Sequence, residues 1–380
     1  MFRGFLRKSS NKQKSKRKNA ENRKMNQCIG NKRLSAAAVA MVMMFASFSC
    51  QSAKAEDDEE NSESDEEFVY ESPYIVPDPL SDALSYKEIW GYVMEGREKE
   101  FNRDVPITDV GYFVSSMNVY SEMPKVPARS KFFKNYKGRV HLVTSVDSQT
   151  QAHLLLDPTL PLRERIIAQM IEAAESYEGL QIDWENIPKS DTERFFDFLK
   201  IVREKLPKEK ILSIATKARL KTLKDDPFAY APLAKVADKI LIMAYDEHWS
   251  TSAPGAIAST NWCKRIAEYA QTQISEEKLI MGVSLYGRTW LSAPVRGQAW
   301  YSSGIERIKR ENGISEVKRD EYGIPHFSFT ETATITGWYD DAYSLRIRCQ
   351  MYSDLGIKNI GFWRLGFEVP EFWQHIKLDE

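Results

Sequence analysis

The segment Gly179-Leu180-Gln181-Ile182-Asp183-Trp184-Glu185 alternates between apolar and polar side chains, a period of two that predicts a β-strand. Its apolar residues share one face, and Gln181, Asp183 and Glu185 share the other. Helical sequence flanks the segment on both sides, and a strand between two helices normally runs parallel to its neighbours and is covered on both faces. The polar face must therefore point into the interior of a closed sheet.

The flanking helices are predicted from apolar side chains with helical spacing. Apolar residues recur every fourth position between Leu162 and Ala174, before the strand. A second apolar stripe extends from Phe195 to Leu206, and Ser190-Asp191-Thr192-Glu193 precedes it with the spacing of a capping box. Both sides of the polar strand are therefore expected to be covered by helices.

The same alternation of strand and helix continues from Tyr86 to the C-terminal region. The predicted strands are Ile89 to Val93, Val110 to Ser115, Val140 to Val146, Leu180 to Trp184, Ile211 to Ala215, Ile240 to Ala244, Leu279 to Ser284 and Ile360 to Trp363. Eight strand–helix units in residues 86–380 predict an α/β fold, a (β/α)8 TIM barrel. The chain has no GxGxxG or GxxxxGK[ST] phosphate loop, which argues against an open nucleotide-binding sheet.

One interval, between Trp290 and Trp338, is too long for a simple connection and is rich in glycine and aromatic residues. We expect a small α+β insertion at about residues 291–337, near the seventh to eighth strand and over one rim of the barrel. An extended loop is the alternative.

The N-terminal 55 residues predict an export signal and leader. They hold 13 Lys or Arg and one Glu, and Leu34 to Phe48 contains no charge. This apolar stretch is too short for a permanent membrane span, which needs about 20 residues. Met25 is an alternative start. Ala53-Lys54-Ala55 fits ordinary signal cleavage, whereas Ser47-Phe48-Ser49-Cys50 resembles a degenerate lipobox in which Cys50 would carry a lipid anchor to the membrane.

The rest of the chain is acidic, with 40 basic and 53 acidic residues after residue 55. This charge argues against nucleic-acid binding. Nine of the twelve residues from Glu56 to Glu67 are acidic, so residues 56–85 are predicted to be a disordered linker ahead of a barrel at 86–380. Because 42% of all residues are hydrophobic and 12% are aromatic, the remainder can fold around a large core, and we expect a monomer.

Cysteine and histidine usage gives no case for a metal site, since the five histidines form no HxxxH or HExxH pattern. Cys28 and Cys50 fall in the leader. Cys263 and Cys349 remain, both on predicted helices, where a disulfide or two buried free thiols are compatible with the sequence.

Asp183 and Glu185 are the strongest candidates for chemistry. They lie at the carboxyl end of a barrel strand, where active sites of this fold are built. Residues i and i+2 of a strand are about 6.6 Å apart at Cα, so the two carboxyls titrate as a pair. One can stay protonated near neutral pH, as an acid catalyst requires. A structural ion pair with a buried Arg or Lys is the alternative.

At these residues the chain resembles the family 18 glycoside hydrolases, whose motif DxxDxDxE ends in the catalytic acid. Asp183 and Glu185 match its last two acidic positions, while Glu178 and Gln181 replace the earlier aspartates. Further family motifs recur in order: Met243-Ala244-Tyr245-Asp246, Tyr286-Gly287-Arg288-Thr289-Trp290 and Trp363. Four other stretches are similar to the branch of spore cortex-lytic glucosaminidases: Gly179 to Pro188, Pro254 to Ala258, Trp338 to Ala342 and Gly361 to Pro370.

The resemblance implies substrate-assisted hydrolysis of N-acetylated polysaccharides, in which the 2-acetamido oxygen of the sugar attacks its own anomeric carbon and no cofactor is needed. Glu185 would be the acid and base, Asp183 would hold the acetamide N–H, and Tyr245 would bind its oxygen. The resemblance further implies these substrate-binding residues: Asp246, Trp363, Gln181, Tyr286 and Arg288.

Gln181 departs from the family pattern, because an amide cannot exchange a proton with Asp183 as an aspartate could. This departure is expected to affect the pH dependence of the activity more than the activity itself. The sequence therefore predicts an exported or envelope-bound retaining glycosidase that cleaves β-1,4-linked N-acetylglucosamine polymers, peptidoglycan ahead of chitin. The alternatives are a non-catalytic sugar-binding lectin or wall-binding protein, a scaffold without a sugar site, and action on glycoprotein glycans.

Overall fold

The structure, a computed structural model, describes residues 73–292, 295–330 and 333–379. The predicted export signal with Cys50, and the acidic segment from Glu56 to Glu67, lie outside the described residues. Within the described ranges no helix is both long and apolar enough to cross a membrane.

The described strands are β1 (Leu84–Tyr86), β2 (Glu88–Met94), β3 (Asp109–Phe113), β4 (Arg139–Thr144), β5 (Gly179–Ile182), β6 (Ile211–Lys217), β7 (Lys239–Met243), β8 (Leu279–Ser284), β9 (Tyr286–Ser292), β10 (Val295–Tyr301), β11 (Lys318–Arg319), β12 (Pro325–Thr330), β13 (Thr334–Trp338), β14 (Asn359–Trp363) and β15 (Ile376–Leu378). The α-helices are α1 (Ser130–Phe133), α2 (Gln149–Leu156), α3 (Leu162–Ala173), α4 (Thr192–Lys205), α5 (Tyr230–Val236), α6 (Thr260–Gln273), α7 (Ser302–Glu311) and α8 (Ala342–Asp354).

Eight parallel strands close into a barrel in the order β14-β2-β3-β4-β5-β6-β7-β8. The barrel closes at β14, where Ile360 pairs with Ile89 of β2 on one side and with Met281 of β8 on the other. Every residue of β3, β5 and β8 is buried, as expected for parallel strands covered on both faces. The predicted (β/α)8 fold is confirmed, and each of the eight predicted strands corresponds to one barrel strand.

Helix α4 buries the predicted stripe, but the predicted capping box at its start is wrong. The helix begins at Thr192, and Ser190 lies in the preceding 3-10 turn, Lys189–Asp191. Asp191 occupies the N-cap position without a side-chain cap bond. Its carboxylate instead contacts His153 at 2.7 Å and Arg194 at 3.2 Å.

Between β8 and β14 the chain forms a lobe, defined as residues 286–338. Its antiparallel sheet has the order β10-β9-β13-β12-β11, and α7 packs beside it. Ile305 and Phe327 of the lobe form a small separate core with Tyr339, the residue that follows β13. The sheet starts at Tyr286, before the expected boundary of about 291, because β9 follows β8 after a single residue and pairs with β13.

The ordered fold also begins earlier than predicted at the N-terminal side. Strand β1 pairs in parallel with β15, aligning Leu84 with Ile376. Leu84 and Tyr86 are buried, and the Tyr86 hydroxyl donates to the carbonyl of Cys349 at 2.6 Å. The predicted boundary of the barrel at residue 86 is therefore too late, because Leu84 of β1 already joins the core.

Candidate active site

Asp183 and Glu185 follow β5 at the carboxyl end of the barrel. The backbone amide of Asp183 donates to the Thr144 carbonyl at 2.9 Å, which keeps the residue in register with β4. Trp184 lies between the two acids, is 1% exposed, and packs its ring 4.8 Å from that of Phe198 on α4. Because successive side chains of an extended chain alternate, the two carboxyls point away from the helix layer and toward the barrel lumen.

Gln181 lies one step deeper on the same face and is held from both sides of the lumen. The hydroxyl of Tyr92 on β2 donates to its Oε1 at 2.7 Å, and its Nε2 donates to Oγ of Ser213 on β6 at 3.1 Å. All three residues are buried. Gln181 therefore forms the floor beneath Asp183, with both ends of its amide occupied.

Burial raises the pKa of both acids. The pKa of Asp183 lies well above its ordinary value, mainly through burial and then through the negative charge of Glu185, while Lys217 acts in the opposite direction. Burial also raises the pKa of Glu185 to about 7; Lys217 lowers it and Asp246 raises it. Oδ1 of Asp183 and Oε2 of Glu185 are buried and find no hydrogen-bond partner among the described residues.

Structural ion pairs elsewhere in the barrel differ from this pair. Asp340 receives two bonds from Arg348, at 2.9 and 3.0 Å, and Ser344 also donates to it. Asp109 is bound by His141 and Arg139, which lower its pKa to about 2 although burial alone would raise it. The contrast favours a chemical use for the unsatisfied acids over the alternative of a core salt bridge.

Tyr245 and Asp246 follow β7 at the same end of the barrel, and both are buried. Gly282 on the adjacent β8 leaves room for the tyrosine, since an added Cβ there would lie 3.0 Å from its Cε1 atom. Asp246 has a φ of 59°, a left-handed conformation that is uncommon outside glycine. Tyr286 donates to Oδ1 of Asp246 at 2.6 Å, and Arg288 binds the same oxygen at 2.9 Å. The structure thus places Tyr286 and Arg288 against Asp246.

Trp363 ends β14 at the same end of the barrel and is half-buried. Its ring centroid lies 5.2 Å from that of Tyr92 and 5.5 Å from that of Phe113. The bond from Trp363 to Arg364 is a cis peptide. Trp363 therefore lies next to Tyr92, whose hydroxyl binds Gln181 beneath Asp183.

Three residues of this arrangement were missed by sequence reasoning: Tyr92, Phe113 and Lys217. The first two lie inside predicted strands, where they look like ordinary core aromatics. Lys217 lies two residues beyond the predicted strand, because β6 extends to it. Their common signal is position, since each lies at or near the carboxyl end of a barrel strand.

Cys263 and Cys349 are free, buried thiols, and burial raises the pKa of each to about 12. The disulfide considered from the sequence is therefore wrong, and the alternative of two free thiols is what the structure shows. No cluster of three or more His, Cys, Asp or Glu suited to a metal ion occurs in the described part of the chain.

Comparison with known proteins finds that the family "Glycosyl hydrolases family 18" matches residues 126–368. A cortical fragment-lytic enzyme of Bacillus anthracis is 24% identical over 233 residues, covering 58% of this chain and 54% of that enzyme. A class V chitinase of Medicago truncatula is 26% identical over 246 residues, covering 54% and 62%.

Among solved structures, the Bacillus cereus spore cortex-lytic enzyme SleL aligns with a TM-score of 0.67 and 19% identity, over 78% of this chain and 76% of that one. The matches span 50% to 65% of the length of the Bacillus relatives. The resemblance inferred from the four ordered motifs is confirmed.

Proposed function

Because this chain belongs to glycosyl hydrolases family 18, we propose that it is an exported, retaining glycosidase that cleaves β-1,4-linked N-acetylglucosamine polymers. Peptidoglycan is the first candidate substrate, supported by the relative named for lysis of cortical fragments and by the stretches similar to that branch. Chitin is the second, supported by the chitinase relative.

The observation that carries the proposal is the acid pair at the carboxyl end of the barrel: Asp183 is buried, Glu185 is half-buried, and each has one buried carboxylate oxygen without a hydrogen-bond partner among the described residues. A carboxyl with a pKa of about 7 is protonated in a large fraction of molecules near neutral pH, yet becomes a competent base once it has lost its proton. Glu185 can therefore serve as acid in one step and base in the next.

In the first step, Glu185 transfers its proton to the glycosidic oxygen as the bond to the anomeric carbon breaks. The acetamido oxygen of the same sugar forms a new bond to that carbon, and the leaving chain departs as an alcohol. In the second step, ionised Glu185 takes a proton from water, whose oxygen attacks the anomeric carbon and restores the acetamide. Both steps invert the carbon, so the net result is retention.

Asp183 and Tyr245 are proposed to hold the acetamide group during both steps. Asp183 accepts its N–H, and Tyr245 donates its hydroxyl to the acetamide oxygen. The pKa of Asp183 is raised in the free protein. A cation favours the ionised form of a nearby carboxyl, so the positively charged oxazolinium intermediate lowers this pKa. Asp183 then carries a negative charge when that charge stabilises the intermediate. Trp363 provides an aromatic surface under the sugar.

Export and anchoring are part of the proposal and come from the sequence of the leader. Its basic residues followed by an uncharged apolar stretch support secretion, and Cys50 supports a lipid anchor in the cell envelope. Mass analysis of the N-terminus of the mature protein distinguishes lipid on Cys50 from cleavage after Ala55. An intact leader on protein from the cell interior would contradict export.

The activity is tested by digesting purified sacculi, chitin and a high-mannose glycoprotein side by side and identifying the products by mass. We expect new N-acetylglucosamine reducing ends from sacculi, and their loss by a factor of at least about 1000 in Glu185→Gln with the fold intact. Unchanged turnover in this variant would refute the mechanism. Binding to glycans without any product over long incubation would favour the lectin alternative.

A further inference from the structure

Strand β9 presents three buried side chains, Tyr286, Arg288 and Trp290, at alternate positions, so they share one face of the lobe sheet. All three contact the segment that follows β7. Tyr286 and Arg288 bind the carboxylate of Asp246, and Nε1 of Trp290 donates to the carbonyl of Trp249 at 3.0 Å. One face of β9 therefore supports one loop, defined here as the β7 loop, residues 245–258.

A second contact lies at the same register of the lobe sheet. Gly297 on β10 is the cross-strand partner of Trp290, and its amide donates to the carbonyl of Ser250 at 2.6 Å. A Cβ at Gly297 would lie 2.9 Å from Cα of Ser250 and 2.9 Å from Nε1 of Trp290. Only glycine permits the backbone of the β7 loop to approach this closely.

The β7 loop is closed on itself by its own hydrogen bonds. The amide of Glu247 donates to the carbonyl of Ile257 at 2.9 Å, and the carboxylate of Glu247 accepts from the amide of Ser259 at 2.7 Å. The amide of Ser252 closes a turn on the carbonyl of Trp249 at 3.2 Å. Because the loop is internally braced, a contact at its tip can set the position of its start, where Tyr245 and Asp246 lie.

We propose that Trp290 and Gly297 form a latch that positions the β7 loop, and with it Tyr245 and Asp246, for the reaction. The lobe is then part of the active-site framework as well as a wall beside the barrel. Trp290 is a positioning residue, since it acts through the loop, by the bond of its indole to the carbonyl of Trp249. This inference rests on the proposed function for its catalytic consequence, whereas the latch itself is a property of the fold.

The test compares Trp290→Phe with Trp300→Phe. Trp300 lies on the same lobe sheet and its indole donates to Oγ1 of Thr289 at 2.8 Å, on the opposite face of β9. Each variant removes one indole hydrogen bond from the lobe, but only Trp290→Phe removes a bond to the β7 loop. For both, kcat and KM on a chitooligosaccharide, the pH profile of kcat/KM, and hydrogen exchange of amides 245–258 are measured.

We expect Trp290→Phe to lower kcat/KM by about ten-fold or more, since small displacements of reacting groups are costly. The alkaline limb of its kcat/KM pH profile should move to lower pH, because Asp246, which raises the pKa of Glu185, is less well placed. Amides 245–258 should exchange faster. Trp300→Phe should match the wild type in all three. Gly297→Ala is the second variant, for use if Trp290→Phe does not fold. Its added methyl group would displace the β7 loop from the side of β10, so it should produce the same changes in kcat/KM, pH profile and exchange.

Wild-type exchange in amides 245–258 of both Trp290→Phe and Gly297→Ala would overturn the latch. Equal loss of activity in Trp290→Phe and Trp300→Phe, with no shift in either pH profile, would also overturn it, because that pattern reports general weakening of the lobe. If the wild-type protein cleaves none of the glycans but the exchange difference is present, the proposed function fails and the latch stands.

Discussion

The hydroxyl of Tyr92 donates to Oε1 of Gln181 at 2.7 Å, directly beneath the acid pair. Nε2 of Gln181 donates to Ser213 at 3.1 Å, so both ends of the amide are engaged across the barrel. Gln181 thus occupies a site built for a hydrogen-bonding side chain, but it adds no charge and no exchangeable acid proton near Asp183. The charge of Glu185 therefore acts on the pKa of Asp183, and the charges of Lys217 and Asp246 act on the pKa of Glu185, without a further acid at position 181.

Replacing Gln181 by Asp places a third carboxyl beside Asp183. A like charge disfavours ionisation of its neighbours, so the pKa of Glu185 should rise and the alkaline limb of kcat/KM should move up by about 0.5–1 pH unit. Gln181→Asn is the matched control, since it has the same size and no charge. Identical pH profiles for the Asp and Asn variants would contradict the expected coupling across this face of the barrel.

Two charges act on Glu185 in opposite directions, and this gives a pair of predictions with opposite signs. Asp246 raises the pKa of Glu185, so Asp246→Asn should move the alkaline limb of kcat/KM below its wild-type position near pH 7. Lys217 lowers the same pKa, so Lys217→Met should move the limb above it. Both variants are measured on one soluble oligosaccharide.

Lys217→Arg is the control for the second variant, because it keeps the positive charge and should leave the limb in place. Shifts of the same sign in Asp246→Asn and Lys217→Met would show that the limb reports a group other than Glu185. The comparison depends only on the direction of each shift, which makes it robust to changes in the absolute rate.

The barrel strands could be predicted from sequence because their evidence is local. Alternation in residues 179–185 and helical spacing around it are enough to place Asp183 and Glu185 on one face at one end of the fold. The exact start of a helix is less determined by local pattern. Ser190 and Glu193 have capping-box spacing, yet helix α4 begins at Thr192 and its N-cap residue is Asp191. The carboxylate of Asp191 contacts His153 and Arg194 and makes no cap bond to the helix backbone.

Contacts between distant segments could not be predicted in the same way. Tyr286 and Arg288 were expected to bind substrate because they belong to a family motif, and that stays a prediction. What the sequence did not indicate is that both contact Asp246, some 40 residues earlier in the chain. That contact depends on the pairing of β9 within the lobe sheet and on the turn after β7. Neither the spacing of Lys217 nor its residue type indicates that it lies near two acids.

The pH dependence of stability should report the protonation of Glu185 and Asp183 independently of activity. The pKa of Glu185 is raised from 4.5 to about 7 in the folded protein, so between these values the folded state holds a proton that the unfolded state has lost. The free energy of unfolding should therefore fall as pH rises through this window, and Asp183 adds to the fall in the same direction.

Glu185→Gln cannot ionise, so it should be more stable than the wild type at pH 8 by on the order of 2 kcal/mol and nearly equal to it at pH 4.5. Denaturant unfolding of both proteins at the two pH values measures the difference, and titrating groups that do not interact with residue 185 cancel between them. A variant that is less stable than the wild type at pH 8 would mean that ionised Glu185 is well compensated in the folded state.

Trp363 should contribute to sugar binding through its aromatic face. Tyr92 and Phe113 pack against its ring, while the side chain as a whole stays half-buried at the rim. Trp363→Ala should lower kcat/KM for an N-acetylglucosamine oligomer by about ten-fold or more, mainly through KM, and Trp363→Phe should lose less because it keeps an aromatic surface.

Trp373 is the matched control for this loss of an indole. It is also half-buried, but it packs 5.2 Å from the ring of Phe362, on the side of β14 opposite to the face of Trp363. Trp373→Ala should reduce the melting temperature without raising KM. If the two alanine variants raise KM equally, the effect of Trp363 comes from general loosening of β14, and its assignment as the surface under the sugar is wrong.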